Sequence, residues 1–467
     1  ACVVSKVLKG LIFALQGHQD AFYVADLGDI KQKHWRFMKE LPRVKPFYAV
    51  KCNSTNEVLQ MLATLGTGFD CASMGEIDMV LRMGVPAADI VYANPCKQVS
   101  HIKYAAAHGV CKMTFDCEAE LFKIAAFHPK AEMILRIATD DRDAWCALSS
   151  KYGALVEQCE DLLKTAKNLN IQVIGVSFHT GSGCKNTHSF CKAIEDARKV
   201  FEIGKKLGYQ MRLLDIGGGF SGNSEFRPTF EEVRHVIRQS LNQYFPNNKE
   251  VEIISEPGRY YVESAFTVAL NIITKKEVYE KGADGNSRRK FSYILNDGVY
   301  GTFLDFYLVK EKQKLKPLLG KVCDQKLFPS NLWGPTCTNV DKLVNEFYLP
   351  ELETGDWVIF PNMGAYSISM STTFNGFPQP KVYFNPKKSQ NIRKNRKMFI
   401  FKSELFQFGS DSWVSKSAPK SGSCKIGLHR YFFLFNCTGL LINALTGVLG
   451  QDLKMPHLLS LMSIFEA

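Results

Sequence analysis

The sequence predicts an α/β protein in which a (β/α)8 TIM barrel precedes a smaller, mostly β domain. Three observations support this prediction: short apolar runs alternate with amphipathic stretches, polar residues follow the ends of those runs, and the alternation stops after residue 265. With 467 residues, of which 46% are hydrophobic, the chain can bury a large core and is too long for a single one. Two domains are therefore expected.

The barrel prediction rests on eight apolar runs of β type, each separated from the next by a longer helical stretch. The runs are PFYAV (46–50), GFDCA (68–72), IVYAN (90–94), KMTFD (112–116), EMILRI (132–137), VIGVSFH (173–179), RLLDIG (212–217) and EIISEP (252–257). One intervening stretch, residues 186–208, ends with lysines and a glycine, which is a normal helix stop. Eight such units suit a (β/α)8 barrel over residues 28–265.

The second domain is predicted over residues 266–386, where β-type runs are separated by turn-rich loops. Its runs are AFTVALNIITKKEV (265–278), FSYIL (291–295), DWVIF (356–360) and KVYF (381–384). Residues 280–290 are charged and rich in glycine, which predicts an exposed loop. We expect residues 1–27 to pack with this β domain.

The positive charge of the chain lies mostly in its last part, residues 387–467. The formal net charge is +12, and residues 387–430 hold 11 Lys and Arg against two acidic residues. The rest is close to neutral, so the charge predicts no nucleic-acid partner. The apolar run 431–450 approaches the length of a membrane helix, but Asn and Thr residues interrupt it. We expect a flexible tail and no membrane span, with a membrane helix as the alternative.

The cysteine pattern indicates a reducing compartment. Fourteen cysteines are scattered without a CxxC pair, a compact disulfide framework or metal-ligand spacing, so we expect reduced thiols, no metal and a cytoplasmic protein. The first 17 residues lack an initiator Met and resemble a signal peptide weakly. Since the cysteines argue against secretion, we interpret this start as a truncated piece of a folded domain.

Residues that can take part in catalysis or ligand binding lie at or just after the ends of seven of the eight predicted strands. They are Lys51, Asp70, Asn94, Arg136, His179, Gly217 to Gly219, and Glu256. Each alone would be interpreted as a solvated loop residue. Because the carboxyl ends of barrel strands form the face where active sites lie, the set predicts one catalytic rim.

The residue types at this rim point to pyridoxal phosphate. Lys51 follows a buried strand, where an amine in an apolar mouth has a lowered pKa and forms a Schiff base with an aldehyde. Glycine-rich loops after the last three strands, FHTGSG (178–183), DIGGGF (215–220) and EPGRYY (256–261), suit a phosphate group. Glu256 is the candidate partner for the ring nitrogen. His179 is either a support for the ring or an ordinary core histidine.

Residues from about 20 to 385 resemble the eukaryotic ornithine decarboxylase family, which also contains the antizyme inhibitors. The shared stretches include PFYAVKCN, YANPCKQVSHIKYAA, VSFHTGSG, LDIGGGF, SEPGRYYVESAFT, NDGVYG, WGPTC, NMGAY and TFNGF. The resemblance implies an alanine-racemase-type barrel that binds pyridoxal phosphate and decarboxylates an amino acid. It also implies a homodimer with shared active sites, with Phe374 of TFNGF in the interface region.

The resemblance assigns roles to individual residues. It implies that Lys51 holds the cofactor, that Glu256 pairs with the pyridine nitrogen, and that Cys337 enters the partner's active site to govern protonation after CO2 leaves. The residues implied to line the cofactor site are Asp70, Glu76, Arg136 and His179, with Ser182, Gly217, Gly218, Gly219, Gly258, Arg259 and Tyr366 around the phosphate. Because every one of these positions is kept, an enzyme is favoured over a silent homologue.

The sequence departs from the family where the side chain of the substrate is recognised. The family grips the distal ammonium of ornithine with two aspartates, and Val309 and Thr338 stand at those positions, with Tyr300 in the same pocket. This predicts an apolar substrate of leucine size, as one mammalian member of the family uses. A helix there would put Asp305 on the face of Val309, so restored charge recognition stays an alternative.

Two further alternatives remain. One is a weak or inactive regulator that binds antizyme through residues 94–109, and the other is a residual ornithine or lysine decarboxylase. Antizyme binding and the main prediction are not exclusive, since an active enzyme could also bind antizyme.

Overall fold

The computed structural model describes residues 19–246, 251–281, 287–309, 315–319 and 326–384. The predictions made for residues 1–18 and for the basic tail from residue 387 lie outside these residues. Within the described ranges, no helix is long and apolar enough to cross a membrane.

Eight strands close into a parallel barrel in sequence order, which confirms the predicted fold class. The first strand of the chain, β1 (Phe22–Ala25), precedes the barrel and belongs to another sheet. The barrel strands are β2 (Val44–Ala49), β3 (Gly68–Cys71), β4 (Ile90–Tyr92), β5 (Lys112–Phe115), β6 (Glu132–Arg136), β7 (Gln172–Ser177), β8 (Leu213–Asp215) and β9 (Glu252–Ser255). Each pairs with its sequence neighbour, and β9 closes on β2.

Helices surround the barrel, and some of them begin at a capping side chain. Those that connect or precede the strands are α1 (Leu27–Glu40), α2 (Asn56–Leu65), α3 (Met74–Arg82), α4 (Val99–Ala107), α5 (Glu118–Phe127), α6 (Val156–Asn168), α7 (His188–Lys206) and α8 (Phe230–Tyr244). The Asp26 side chain accepts a hydrogen bond from the backbone of Gly28 to cap α1. Thr229 and Glu232 form a reciprocal capping box at the start of α8.

The barrel interior is a separate small core. Its buried side chains come from six of the eight strands and the residue after β4, and are Phe47, Val91, Ala93, Ile134, Ile174, Leu213 and Ile254. Phe47 fills this space because its neighbour in β3 is Gly68, where a Cβ would lie 2.5 Å from the Phe47 ring. The barrel is therefore packed inside, and its functional residues lie at the rim.

The second unit of structure is a mostly β sheet reached through α9 (Arg259–Val262). Its strands are β10 (Phe266–Lys281), β11 (Ser287–Leu295), β12 (Leu318–Leu319), β13 (Leu327–Trp333), β14 (Lys342–Pro350), β15 (Trp357–Phe360) and β16 (Lys381–Phe384), with the short helix α10 (Leu304–Leu308) between β11 and β12. The strand order is β12-β15-β10-β11-β13-β14, and β1 joins it by pairing with β10 and β16.

The loop predicted over residues 280–290 is wrong at both ends. Glu280 and Lys281 pair with Arg288 and Ser287 in the antiparallel ladder of β10 and β11. Residues 282–286 lie outside the described ranges. The strands extend further than composition indicates because alternate residues of each strand find cross-strand partners, including the Lys290 and Glu280 ion pair at 3.1 Å.

Candidate active site

The polar residues that follow the barrel strands lie together at one rim. Lys51 lies in a 3-10 turn, Val50–Cys52, directly after β2, and Asp70 lies within β3. Arg136 ends β6, and Glu256 follows β9. Because the strands are parallel, their carboxyl ends share this rim, where (β/α)8 barrels carry their active sites.

Lys51 forms an ion pair with Asp70, and this pair affects the protonation of the Lys51 amine. Asp70 is fully buried, and its Oδ1 atom has no hydrogen-bond partner among the described residues. Burial lowers the pKa of Lys51, but the charges of Asp70 and Glu256 raise it more, so the net pKa lies above its ordinary value. The predicted lowering of the Lys51 pKa is therefore wrong, because it considered burial without these carboxylates.

His179 is a neutral imidazole two residues beyond β7. Its Nδ1 accepts a hydrogen bond from the backbone N–H of Gly181 at 2.9 Å, which assigns the ring proton to Nε2. Burial lowers the pKa of His179 well below its usual value, and the positive charges of Arg136 and Lys51 lower it further. A Cβ at Gly218 would lie 2.9 Å from Nε2, so the ring packs against the glycine loop. Such a fixed, uncharged ring can support a flat ligand.

Asp215 and Glu256 form a buried pair of carboxyl groups at the ends of the adjacent strands β8 and β9. Burial raises the pKa of Asp215 to about 6. Burial also raises the pKa of Glu256 well above its usual value, and the charges of Asp215 and Asp70 add to the effect. Both carboxyl groups are therefore harder to ionise than exposed ones. Sequence reasoning gave Asp215 no role, although it ends an apolar strand beside the glycines.

The glycine loop after β8 has a backbone that only glycine accommodates without strain. Gly217 has φ +61° and Gly219 has φ +105°, both in the left-handed region. A Cβ at Gly217 would lie 2.1 Å from the Phe178 carbonyl oxygen, and one at Gly219 would lie 2.6 Å from Thr180 Oγ1. A loop of this kind lets backbone N–H groups approach an anion closely.

Arg259, the first residue of α9, lies buried beside this loop. Its Nε donates to Ser182 Oγ at 3.1 Å, and its Nη2 donates to Asp305 Oδ2 at 2.9 Å. The ring centres of Tyr366 and Trp145 lie 5.1 and 5.3 Å from the guanidinium carbon. The structure therefore brings together Arg259, Ser182 and Tyr366, which the sequence predicted around one phosphate group, and adds Asp305.

Gly258 and Tyr366 both press against the turn that carries Lys51. A Cβ at Gly258 would lie 2.8 Å from Cys52 Cβ, and the backbone N–H of Tyr366 donates to the Cys52 carbonyl oxygen at 2.9 Å. Tyr366 has φ +54°, an uncommon conformation for a residue with a side chain. These contacts fix the position of Lys51 from the barrel and from the β domain.

Three other rim residues have partners within the protein. Glu76 Oε2 accepts a hydrogen bond from the backbone N–H of Ala72 at 2.6 Å, and burial raises the pKa of Glu76. The guanidinium carbon of Arg136 lies 5.1 Å from the ring centre of Tyr152. Asn94 donates to the Ala72 carbonyl oxygen at 3.4 Å. Glu76 and Asn94 therefore shape the loop after β3.

Cys337 and Thr338 lie on the β domain in the loop after β13 and are not joined to Lys51. Cys337 is exposed, and its backbone N–H donates to Asn375 Oδ1 at 3.1 Å. Thr338 Oγ1 accepts from the backbone N–H of Val340 at 3.2 Å. Over the described ranges, no hydrogen bond connects either residue to the barrel rim. An exposed Cys337 is accessible to a second copy of the chain.

The other two residues of the predicted substrate pocket, Tyr300 and Val309, lie just before and just after α10. Val309 follows the last residue of α10 and is 8% exposed, so its methyl groups are buried. Tyr300 stacks on Phe374, with ring centres 4.5 Å apart. Asp305 shares α10 with this pocket, but its carboxylate is bound by Arg259. The pairing of Asp305 with Arg259 does not favour its predicted alternative role as a charge-recognition group.

The rim residues fit pyridoxal phosphate. A lysine is available for the aldehyde, and Glu256 offers a buried carboxyl to the ring nitrogen. The glycine loop has no space for a Cβ at Gly217, Gly218 or Gly219, and Ser182 and Arg259 supply a hydroxyl and a guanidinium joined by a hydrogen bond. The unpaired Asp70 Oδ1 is a further polar atom that a ligand could satisfy.

Comparison with known proteins gives the same assignment. Residues 27–263 match the model of the pyridoxal-binding domain of pyridoxal-dependent decarboxylases. Ornithine decarboxylase of Mus musculus is 52% identical over 373 residues, which cover 78% of this chain and 80% of the relative. Antizyme inhibitor 2 of Xenopus laevis is 54% identical over 371 residues, with coverage of 78% and 81%.

Among solved structures, the arginine decarboxylase of Paramecium bursaria Chlorella virus superposes with a TM-score of 0.77 at 34% identity. The match covers 82% of this chain and 100% of the viral one. The resemblance drawn from the sequence motifs is therefore confirmed at the level of the family.

Proposed function

The chain belongs to the eukaryotic ornithine decarboxylase family of pyridoxal-dependent decarboxylases, and from this premise we propose that it decarboxylates an apolar L-amino acid of leucine size. The products would be CO2 and a primary amine. The single observation that supports the choice of substrate is the identity of Val309 and Thr338: at the two positions where the resemblance implies aspartates for an ammonium group, this chain carries a buried aliphatic side chain and a hydroxyl.

Pyridoxal phosphate, when bound, supplies the electron sink that stabilises the carbanion left by departing CO2. In our proposal Lys51 binds the aldehyde, and Asp70 orients the amine through their ion pair. Glu256 would pair with the ring nitrogen through its buried carboxyl group. His179, neutral and fixed by Gly181, supports the ring without adding charge.

The phosphate group would be held by the glycine loop, Ser182, Gly258, Arg259 and Tyr366. Glu76 and Arg136 would line the rest of the cofactor site. These assignments are supported by the placement of the residues at one rim and by the close packing around Gly217 and Gly219.

Energetics favour leucine over ornithine in such a pocket. A buried ammonium group without a carboxylate partner costs about 3–5 kcal/mol. An aliphatic side chain gains about 0.8 kcal/mol for each CH2 group that it buries against Val309. Asp305 does not offset the loss because its carboxylate is paired with Arg259. Ornithine is therefore expected to be the poorer substrate by two or more orders of magnitude, at about 1.4 kcal/mol per factor of ten.

We propose a homodimer in which Cys337 completes the site of the partner and governs protonation of the carbanion. One support is the exposure of Cys337. Another is the neighbouring aromatic pair of Tyr300 and Phe374, in which Phe374 is 44% exposed although the two rings stack. Exposed aromatic side chains beside a functional residue are typical of an interface. Nine of the cysteines among the described residues, all except Cys146, are free thiols, which supports a cytoplasmic location.

The test is incubation of the purified full chain and pyridoxal phosphate with single amino acids, with CO2 and amine measured. Leucine should release CO2 faster than ornithine, lysine or arginine, and Lys51→Ala should abolish the release. Faster release from ornithine than from leucine would contradict the proposed substrate.

A second function is supported by the relatives named antizyme inhibitors, at 54% identity in Xenopus laevis and 47% in Homo sapiens. The segment 94–109 contains α4 and the loop before it. Its exposed residues include Cys96, Gln98, Ser100 and Lys103. We propose that this surface binds antizyme. Absence of CO2 release from every amino acid, together with capture of antizyme by the purified chain, would favour a regulator over an enzyme.

A further inference from the structure

We propose that Asp305 competes with the phosphate group of the cofactor for Arg259 and thereby weakens the binding of pyridoxal phosphate to this chain. The inference rests on the cofactor and not on the identity of the amino-acid substrate.

The guanidinium of Arg259 already has three acceptors around it. Nε donates to Ser182 Oγ at 3.1 Å, Nη2 donates to Asp305 Oδ2 at 2.9 Å, and Nη1 lies 4.0 Å from Glu263 Oε1. A phosphate oxygen that approached Arg259 would therefore need N–H groups that face Asp305 or Glu263. Of these two carboxylates, Asp305 is the closer one.

The pair is shielded from solvent, so its charges are weakly screened. The side chain of Arg259 is 5% exposed and that of Asp305 is 13% exposed. Burial lowers the pKa of Arg259, but the charges of Asp305 and Glu263 raise it above its ordinary value. The Arg259 cation is therefore stabilised by carboxylates of the protein itself.

Asp305 differs from Glu263 in how it contacts Arg259. Glu263 also acts on the buried Lys33, which pairs with Asp29 at 3.2 Å, and Glu263 lies 4.0 Å from Arg259. Asp305 instead forms a direct hydrogen-bonded ion pair with Arg259. An anionic phosphate group would have to bind beside the Asp305 carboxylate, or Asp305 would have to leave Arg259.

Asp305 belongs to α10 and Arg259 to α9, 46 positions apart in the sequence, so the competition depends on the tertiary fold and not on a local turn. Asn at position 305 would keep the size of the side chain and an acceptor for Nη2, but would remove the charge. The substitution Asp305→Asn therefore isolates the electrostatic part of the competition.

The experiment is a titration of the full chain, freed of cofactor, with pyridoxal phosphate and with pyridoxal, followed by the absorbance of the lysine-bound aldehyde. Asp305→Asn should bind pyridoxal phosphate about tenfold or more tightly than the wild type, and pyridoxal with unchanged affinity. The control Asp161→Asn makes the same chemical change at a side chain of α6 that is 80% exposed, and should change neither affinity.

A double-substitution cycle checks that the effect passes through the arginine. With Arg259→Gln in the background, Asp305→Asn should no longer tighten binding of pyridoxal phosphate. Asp305→Ser, with thermal unfolding measured alongside, serves as a second variant if Asp305→Asn is unstable. Unchanged or weaker binding of pyridoxal phosphate by the folded variants, an equal gain for pyridoxal, or a gain that persists without Arg259 would each overturn the proposal.

Discussion

Lys51 and Asp70 show how a carboxylate 19 residues away sets the chemistry of an amine. Burial alone would favour a neutral lysine, whereas the Asp70 and Glu256 charges favour the protonated one and prevail. A neutral amine is the form that binds an aldehyde. Asp70 and Glu256 therefore hold Lys51 in position, but they also lower the fraction of Lys51 that is neutral near pH 7.

The first prediction follows from this raised pKa. The rate at which Lys51 binds pyridoxal phosphate should rise with pH through the neutral range, because the neutral amine becomes more abundant as the pH approaches the pKa from below. Asp70→Asn removes a charge that raises the Lys51 pKa, so the rise should move to lower pH by about one unit or more. The measurement is stopped-flow absorbance of cofactor binding between pH 6 and 9.

The exposed substitution Asp161→Asn is the control for the first prediction and should leave the pH profile unchanged. A profile for Asp70→Asn that is unmoved, or that moves to higher pH, would show that Asp70 does not hold the proton on Lys51.

At the scale of the elements, the loop after β8 requires glycine at two positions. Gly217 and Gly219 have positive φ angles, and their surroundings leave no space for a Cβ. Gly355, in the turn before β15, offers a comparison because its φ is +93° and a Cβ there would meet nothing within 4 Å. Gly219 and Gly355 therefore share a positive φ angle but differ in the packing around them.

The second prediction compares Gly219→Ala with Gly355→Ala. Both should lose about 1–3 kcal/mol of unfolding free energy through backbone strain. Only Gly219→Ala should also weaken pyridoxal phosphate binding, by about tenfold or more, because its Cβ would displace Thr180 or the backbone of Gly181. Chemical denaturation and cofactor titration measure the two effects, and equal loss of cofactor affinity in both variants would count against a phosphate site at the glycine loop.

Local patterns in the sequence predicted the helices and strands well, but they did not predict contacts between residues that are distant in the sequence. All eight barrel strands overlap the predicted apolar runs, since that pattern is local. The pairing of Arg259 with Asp305 depends on how α9 meets α10, which no spacing encodes. The direction of the Lys51 pKa was missed for the same reason. Asp215 was overlooked because its partner Glu256 follows a different strand, β9.

At the scale of the whole molecule, the residues assigned to catalysis are divided between two surfaces. Lys51 lies at the barrel rim, and Cys337 lies on an exposed loop of the β domain without a hydrogen bond to that rim in the described ranges. A two-fold dimer can bring the loop of one subunit to the rim of the other, since each patch then meets its complement twice.

The third prediction is subunit complementation. Lys51→Ala and Cys337→Ala should each be almost inactive alone, whereas an equal mixture that has exchanged subunits should recover about a quarter of wild-type activity, since half of the dimers carry one intact site. The assay is CO2 release before and after mixing, with sedimentation to verify the dimer. Mixtures that stay as inactive as the separate variants would place Cys337 outside the shared site.

The measurement that tests the central claim most directly is the ratio of kcat/KM for leucine to kcat/KM for ornithine, taken on the wild type and on the double variant Val309→Asp with Thr338→Asp. We predict a ratio of about 100 or more for the wild type, because ornithine leaves a buried ammonium group unpaired, and a clear shift of the double variant toward ornithine. A wild-type ratio below one, or a double variant with the same ratio as the wild type, would contradict the apolar pocket.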